Sequence, residues 1–450
     1  MAMQQFLIAR ILQPLQRLTA GWSDKTKDLV FILCGLCIIF HHFLQAMYIY
    51  LYRFLVYFSI DCFFLGLMIL CSLRGTLKPV KFRLFPAICW FGIGGWMLLS
   101  GILVSENRLP EAVLFLVGYP ICFFVWNNME REKVFSLLSR TCILSFIVYT
   151  IINILLYPMG SAQYAGLMLN VNGSCFYLLL VLACLLVELL EHKKCSKKWV
   201  LHLVLMGLCV AQIYYTNSRT GYLSAIMTVV FVLVLYFVSH RREKLRFTLV
   251  TILACALSIF VCINTAFYLF QVAKLIPDEW TEWLHLVDID DSGFITDLDG
   301  IEDINNDKLS TFGKTLDRIS TGRISIWGAF GADLNLFGNV EGKGYFIPIL
   351  KREAYTTHNT ILQFGYESGI PAGVLYLLLN LFSGVYAIIF ARRNRGERYT
   401  LMPFAVTMAF GVMSLFSSLG ISFYYMSTFY YYLVQFPLIA KPIEAKVPQA

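Results

Sequence analysis

Residues 216–239 read TNSRTGYLSAIMTVVFVLVLYFVS. A polar turn carrying one arginine gives way to about twenty uncharged, mostly apolar residues, and a run of that length crosses a bilayer as a helix. Arg219 is the only charge between Lys198 and His240. Runs like this recur almost end to end. Mean hydropathy is +0.68, 58% of the 450 residues are hydrophobic and 14% are charged, which excludes a soluble globular protein. About twelve spans are expected, at roughly 29–49, 54–73, 85–104, 111–126, 138–157, 172–190, 199–216, 220–239, 247–270, 370–390, 402–419 and 421–440. Each span in lipid must satisfy its own backbone hydrogen bonds, so the expected fold class is an all-α polytopic membrane bundle.

Charge orients the bundle. With both termini in the cytoplasm, 25 of the 36 Lys and Arg residues fall on inner segments. Eight of the remaining 11 sit in one long outer loop, so the short outer turns are nearly free of cations, as the positive-inside rule requires. The net charge of +8 is this cytoplasmic bias and not a nucleic-acid patch. The domain organisation expected is one integral membrane domain over residues 1–450, with a soluble extracytoplasmic insertion at 271–357 between the ninth and tenth spans.

None of the 13 cysteines lies in that insertion. Most fall within spans, where a free thiol behaves as a small apolar side chain, and no disulfide framework or Cys/His cluster is visible. No small-residue cleavage site follows the first apolar stretch, which is read as a retained span. Residues 5–18 (QFLIARILQPLQRL) suit an interfacial amphipathic helix or a frayed tail.

The insertion holds 15 Asp/Glu against eight Lys/Arg. Loops of this length are often binding or catalytic lids. Thr321 to Ala332 (TGRISIWGAFGA) places Ile324, Trp327 and Phe330 at helical spacing.

The chemistry-bearing residues all fall on the outer side. Gly166, Asn170, Asn172 and Gly173 precede the sixth span; the asparagines either line a polar pocket or cap a helix. Thr216 to Gly221 forms a short polar turn with Ser218 and Arg219, whose guanidinium suits bidentate capture of a diphosphate or snorkelling to lipid phosphates. Arg318 and Arg323 lie five residues apart inside the insertion and suit an anion clamp, or pairing with the loop's carboxylates. His358-Asn359 ends the insertion, with Gly365, Gly369, Pro371 and Gly373 following; an imidazole there can take a proton from a sugar hydroxyl. Separately, Asp288, Asp290, Ser292, Gly293 and Ile295 follow EF-hand loop spacing, with Asp299 in place of the usual bidentate Glu; the segment suits a weak calcium site or a solvated acidic loop.

Taken in order, these motifs resemble the O-antigen ligase and Wzy-type polysaccharide polymerase superfamily, bacterial inner-membrane glycosyltransferases of the GT-C type. The matching elements are Gly166-x3-Asn170-x-Asn172, Ser218 to Gly221, Arg318 with Gly322-Arg323 and Trp327, Gly338 with Gly342 and Gly344, and His358-Asn359 with Gly369. Val171 departs from the proline common between the two asparagines, and Gly373 falls one place off the ligase spacing.

The resemblance implies a glycan donor on undecaprenyl diphosphate and inverting, metal-independent transfer with no cofactor. Arg219, Arg323 and Arg318 would face the diphosphate and His358 the acceptor hydroxyl; Asn359, Ser218, Asn170 and Asn172 are the further substrate-binding candidates. It also implies a flippase and a chain-length regulator as assembly partners. Polymerase is the reading preferred, with ligase to lipid A core and protein O-glycosylation as relatives.

The rivals from other classes are a lipid-linked oligosaccharide flippase and a non-catalytic surface sensor. A transporter places polar residues near mid-membrane, where this chain offers chiefly Asp61 and His41-His42; Asp61 is read as a helix-packing residue.

Overall fold

The computed structural model describes residues 2–47, 54–159, 163–168, 170–191, 196–239, 245–275, 322–340, 344–347, 352–418 and 426–443. Helix dominates. The long helices are α1 (Asp24–Met47), α2 (Phe54–Ser72), α3 (Leu84–Leu103), α4 (the helical run Glu106–Trp126), α5 (Arg131–Leu156), α6 (Val171–Glu191), α7 (Lys197–Tyr215), α8 (Arg219–Ser239) and α9 (Leu245–Phe270). After the insertion come α10 (Arg323–Ala332), α11 (Thr360–Ser368), α12 (Ile370–Arg393), α13 (Met402–Ser414) and α14 (Met426–Val434). Among the described residues nine helices are long and apolar enough to cross a membrane. The chain is therefore a multi-pass helical membrane protein.

Local chemistry sets the helix starts. Ser196 Oγ accepts the Trp199 N–H at 3.2 Å and opens α7. Pro86 and Pro371 sit in the first turns of α3 and α12, where a missing N–H costs nothing. The centre of the bundle is α6, buried from Gly173 to Leu190. It is apolar on every face, as a helix wrapped by other helices must be, and it packs against α5, α7, α8 and α13.

The bundle is not purely helical. In the described part of the span expected at 421–440, α14 is followed by a turn of helix at Phe436–Ile439 and then by strand β4 (Ala440–Pro442). That strand pairs antiparallel with β1 (Val80–Phe82), placing Lys81 opposite Lys441. Pro437 breaks the helical run there, since its ring allows only a helix start. Residues 2–18 are helical and lie along this ribbon: Gln4 Nε2 donates to Val80 O and Gln4 Oε1 accepts from Val80 N, both at 3.0 Å. Ile8 and Leu12 are buried while Phe6, Ile11 and Leu18 are exposed, the division an interfacial helix needs.

Asp61 of α2 is held between two rings of α1. His41 Nδ1 lies 2.9 Å from Asp61 Oδ1 and His42 Nε2 lies 3.1 Å from Asp61 Oδ2. A buried polar side chain that ties two spans together is the packing role expected of it.

The described part of the insertion folds beside the helix ends. In α10 it is Ile326 and Phe330 that are fully buried, with Trp327 partly covered; Ile324 is only half-buried, so the apolar face is rotated from that read in the sequence. The Phe330 ring sits 4.5 Å from Tyr345 of strand β2 (Tyr345–Ile347) and 4.8 Å from Tyr366 of α11. β2 pairs antiparallel with β3 (Arg352–Ala354), which leads into the His358 segment.

Close helix packing here rests on small residues. A Cβ added at Gly207 of α7 would lie 2.5 Å from Ser258 Oγ of α9, whereas one at Gly384 of α12 would meet nothing within 4 Å. Gly207→Leu should therefore cost about 1–3 kcal/mol through overpacking and lower the Tm in detergent, while Gly384→Leu should leave it unchanged; equal effects would place the α7–α9 contact elsewhere.

Candidate active site

The site is built where helix ends meet. Asn170 Oδ1 accepts from the N–H groups of Asn172 (2.9 Å) and Gly173 (3.2 Å) and so caps α6. Of the two asparagines, Asn170 is the cap and Asn172 is released for another task. Asn172 Oδ1 accepts from Ser218 Oγ at 3.2 Å, and Ser218 Oγ in turn accepts from the Gly221 N–H at 3.2 Å. The first motif is thereby fastened to the second. A Cβ at Gly221 would lie 2.4 Å from Cys175 Sγ, so the α8 start can approach α6 this closely only as glycine.

Arg219 opens α8. It is exposed and makes no hydrogen bond or ion pair with the described residues. Thr220 is buried, and its Oγ1 accepts from Arg323 Nη2 at 3.3 Å. The first residue of α10 is thus joined to the turn that opens α8. The Arg323 guanidinium also lies 5.9 Å from the centroid of the Phe416 ring. Burial pushes its pKa below the ordinary arginine value. Half-buried cations attract an incoming anion more strongly than exposed ones, because less water screens them.

His358 sits in the left-handed region, with φ of 49°. A non-glycine residue held there stores strain, and such outliers cluster at functional sites. Its neighbours hold it. Thr357 Oγ1 donates to Asn359 O (2.6 Å), and the Asn359 N–H donates back to Thr357 Oγ1 (3.2 Å). Asn359 Oδ1 caps α11 by accepting the Leu362 N–H at 2.9 Å. Asn359 Nδ2 donates to Leu415 O at 3.1 Å, and Thr360 Oγ1 donates to Ser417 O at 2.8 Å.

Residues 415–418 are therefore the meeting point: Arg323 lies over Phe416 while the residues flanking His358 hold Leu415, Ser417 and Ser418. The sequence reading placed these four residues inside a span. Three contacts link the four motifs to this point: Asn172 with Ser218, Thr220 with Arg323, and Asn359 with the end of α13. Arg318 and the candidate calcium ligands Asp288, Asp290, Ser292 and Asp299 lie outside the described residues. Among the described residues no group of three His, Cys, Asp or Glu could hold a metal ion.

A buried chain behind His358 escaped the sequence reading. Gln363 Oε1 accepts the Thr357 N–H at 2.8 Å, Gln363 Nε2 donates to Glu367 Oε1 at 2.6 Å, and Glu367 Oε2 accepts from Arg108 Nη1 at 3.0 Å. Arg108 is 1% exposed. The available signal was its position, a lone cation on an otherwise cation-free short outer turn, as with Arg219. Two glycines, Gly338 and Gly369 of the HN motif, serve the same corner. A Cβ at Gly338 would lie 2.2 Å from Glu367 O and one at Gly369 would lie 2.1 Å from Leu336 O, and both residues have positive φ (88° and 96°). Two backbones cross there with no room for a side chain.

The fold and these motifs define a polytopic membrane protein with an arginine- and histidine-bearing site at one end of its helices. Residues 203–377 match the family described as O-antigen ligase, so this stretch of the chain is similar to that family. The matched stretch holds Arg219, Arg323 and His358, whereas Asn172, Arg108 and Leu415–Ser418 lie beyond it. No curated protein matches the chain significantly.

Removing Arg108 would leave the Glu367 carboxylate without its guanidinium. Arg108→Met should destabilise by about 3 kcal/mol, and Arg108→Met with Glu367→Met should recover most of that loss. Thermal unfolding in detergent reads both; an additive double variant would show that the two residues act independently.

Proposed function

We propose that the protein is a glycosyltransferase that polymerises a cell-surface polysaccharide. The observation that carries this reading is the convergence of Arg323, the Ser218–Gly221 turn and the His358-Asn359 segment around Leu415–Ser418. The family match supports it at the level of the superfamily. The donor is a glycan on undecaprenyl diphosphate, approached at the outer face of the cytoplasmic membrane, and the acceptor is a hydroxyl of a second lipid-linked repeat.

The acceptor oxygen attacks the anomeric carbon with inversion. One C–O bond forms, the C–O bond to the diphosphate breaks, the acceptor proton passes to the His358 imidazole, and the lipid diphosphate leaves with the electron pair. Arg219, exposed at the start of α8, and Arg323, half-buried at the start of α10, are separate cations flanking the Thr220 link. Two such donors can stabilise charge developing on the leaving diphosphate. Arg318 is proposed as a third. In this scheme no metal is required, since guanidinium groups supply the positive charge; calcium on the acidic loop would be structural. The strained backbone at His358 presets the base, and Asn359 and Ser218 serve the site through the hydrogen bonds already described.

A ligase differs only in its acceptor, lipid A core, and the description of the matched family keeps that reading alongside the first.

The test is turnover of an undecaprenyl-diphosphate oligosaccharide by reconstituted protein with EDTA present. His358→Gly suits the left-handed backbone and so removes the imidazole without straining the fold. It should lower turnover about 100-fold or more, as should Arg219→Ala and Arg323→Ala, with folding retained. A ladder of longer lipid-linked glycans from wild type identifies a polymerase. Product only on addition of lipid A core identifies a ligase. Donor movement across the bilayer with no new glycosidic bond would overturn the enzyme reading in favour of a flippase.

A further inference from the structure

The opposite end of the bundle carries a second polar feature. α3 and α12 run from that end to the candidate active site, since Ser100 near the end of α3 reaches Glu367 (3.3 Å) and α12 starts at Ile370 and ends at Arg393. Where α3 begins and α12 ends there is a cleft of about 400 Å³. Arg83, Arg131, Arg393 and Lys441 line it, and among the described residues no carboxylate does.

These cations are partly fixed in place. The Arg83 guanidinium lies 5.2 Å from the Tyr386 ring centroid and that of Arg131 lies 5.8 Å from the Phe390 ring centroid. Stacked guanidinium groups lose less freedom on binding an anion than free ones do. Arg83 Nη2 donates to Pro437 O at 3.4 Å, but its Nε is buried and meets no acceptor among the described residues. The β1–β4 ribbon adds an unbalanced feature, because Lys81 and Lys441 stand directly opposite each other. Like charges so placed repel. Among the described residues one carboxylate, Glu397, forms an ion pair with a lining cation, 3.8 Å from Arg131, and it is half-exposed. Among the described residues the cleft thus holds four lining cations, one of them paired with a peripheral carboxylate.

The surroundings point to a lipid as the source of the missing anion. Leu84, Phe85 and Ile88 follow Arg83 directly and are 67%, 57% and 54% exposed. Leu381 and Val385 of α12 are exposed as well, and Phe382 meets Phe85 ring to ring at 5.7 Å. An apolar strip along α3 and α12 therefore leaves the mouth of the basic cleft and enters the bilayer zone. A soluble anion would use the cations and leave the strip without a role. Basic pockets between spans on the cytoplasmic side suit lipid headgroups that carry more than one phosphate charge.

We infer that this cleft is a binding site for an inner-leaflet lipid with a multiply charged phosphate headgroup, its acyl chains lying along α3 and α12. The site is separate from the transfer site and lies at the other end of the same helices. A lipid bound there would join α3, α5 and α12 to the terminal ribbon.

The experiment uses the full-length protein in detergent, with tetraoleoyl cardiolipin as probe and binding read by native mass spectrometry. Cardiolipin should bind at least about tenfold more tightly than phosphatidylcholine, and Arg393→Gln with Lys441→Gln should remove about tenfold of that affinity. Both residues are exposed, so folding should survive; the single Arg393→Gln serves if the pair does not fold. Lys197→Gln with Lys198→Gln changes two exposed cations elsewhere on the same face and should leave binding unchanged. Inorganic diphosphate should fail to compete at equal concentration. Equal weakening by the Lys197/Lys198 pair would reduce the effect to general surface charge and overturn the site. So would unchanged binding in the cleft variant, and so would competition by diphosphate, which would make the ligand a soluble anion.

Discussion

Helix α13 stops too soon, and the site depends on what that stop requires. Its 13 residues reach only about 20 Å, against a hydrocarbon core of about 30 Å. The last carbonyls of any helix lack intrahelical partners, and at membrane depth water cannot supply them. Ser414 Oγ donates to Gly411 O and the Phe416 N–H to Met413 O, and for the carbonyls just past the helix the donors come from another motif. Asn359 Nδ2 reaches Leu415 O and Thr360 Oγ1 reaches Ser417 O. The carbonyls exposed where the helix ends thus fasten the His358 segment. The same stop puts the negative end of the α13 dipole near Phe416, where the Arg323 cation lies. Irregular backbone within a membrane is tolerated where protein covers it or where it lines a cavity, and these four residues meet that condition through the side chains of two different motifs.

The second element is reciprocal fastening among short motifs. Asn170 caps α6 and frees Asn172 for Ser218; Ser218 caps the start of α8; Thr220 of that start holds Arg323. Because α6 is buried from Gly173 to Leu190, its end is a fixed reference for the rest. Behind His358 the line Arg108–Glu367–Gln363 ends on the Thr357 N–H. A left-handed histidine braced from both sides is an arrangement in which stability is spent on geometry.

Much of this was legible in the residues. Long uncharged runs marked the spans, because a span must be apolar to be stable in lipid, and the four motifs stood out as polar residues where apolar ones were expected. What stayed hidden was the stop in α13 and its consequence. Residues 415–418 read LFSS, which is apolar and small, so hydropathy continued the span through them. Arg108 was hidden for a different reason: its importance lies in a partner 259 positions away, a contact that only the packing of α4 against the insertion's end reveals. The strand at 440–442 was also lost to hydropathy, since Ala440 is buried and apolar whichever structure it adopts.

The central claim is that Arg219, Arg323 and His358 serve one site beside Leu415–Ser418. The most direct measurement is a cryo-electron-microscopy structure of the full-length protein with a non-transferable polyprenyl diphosphate glycan. The account predicts diphosphate density within hydrogen-bonding distance of both Arg219 and Arg323, with the sugar's anomeric carbon on the side of His358. A diphosphate bound away from these arginines, or an anomeric carbon out of reach of His358, would contradict it.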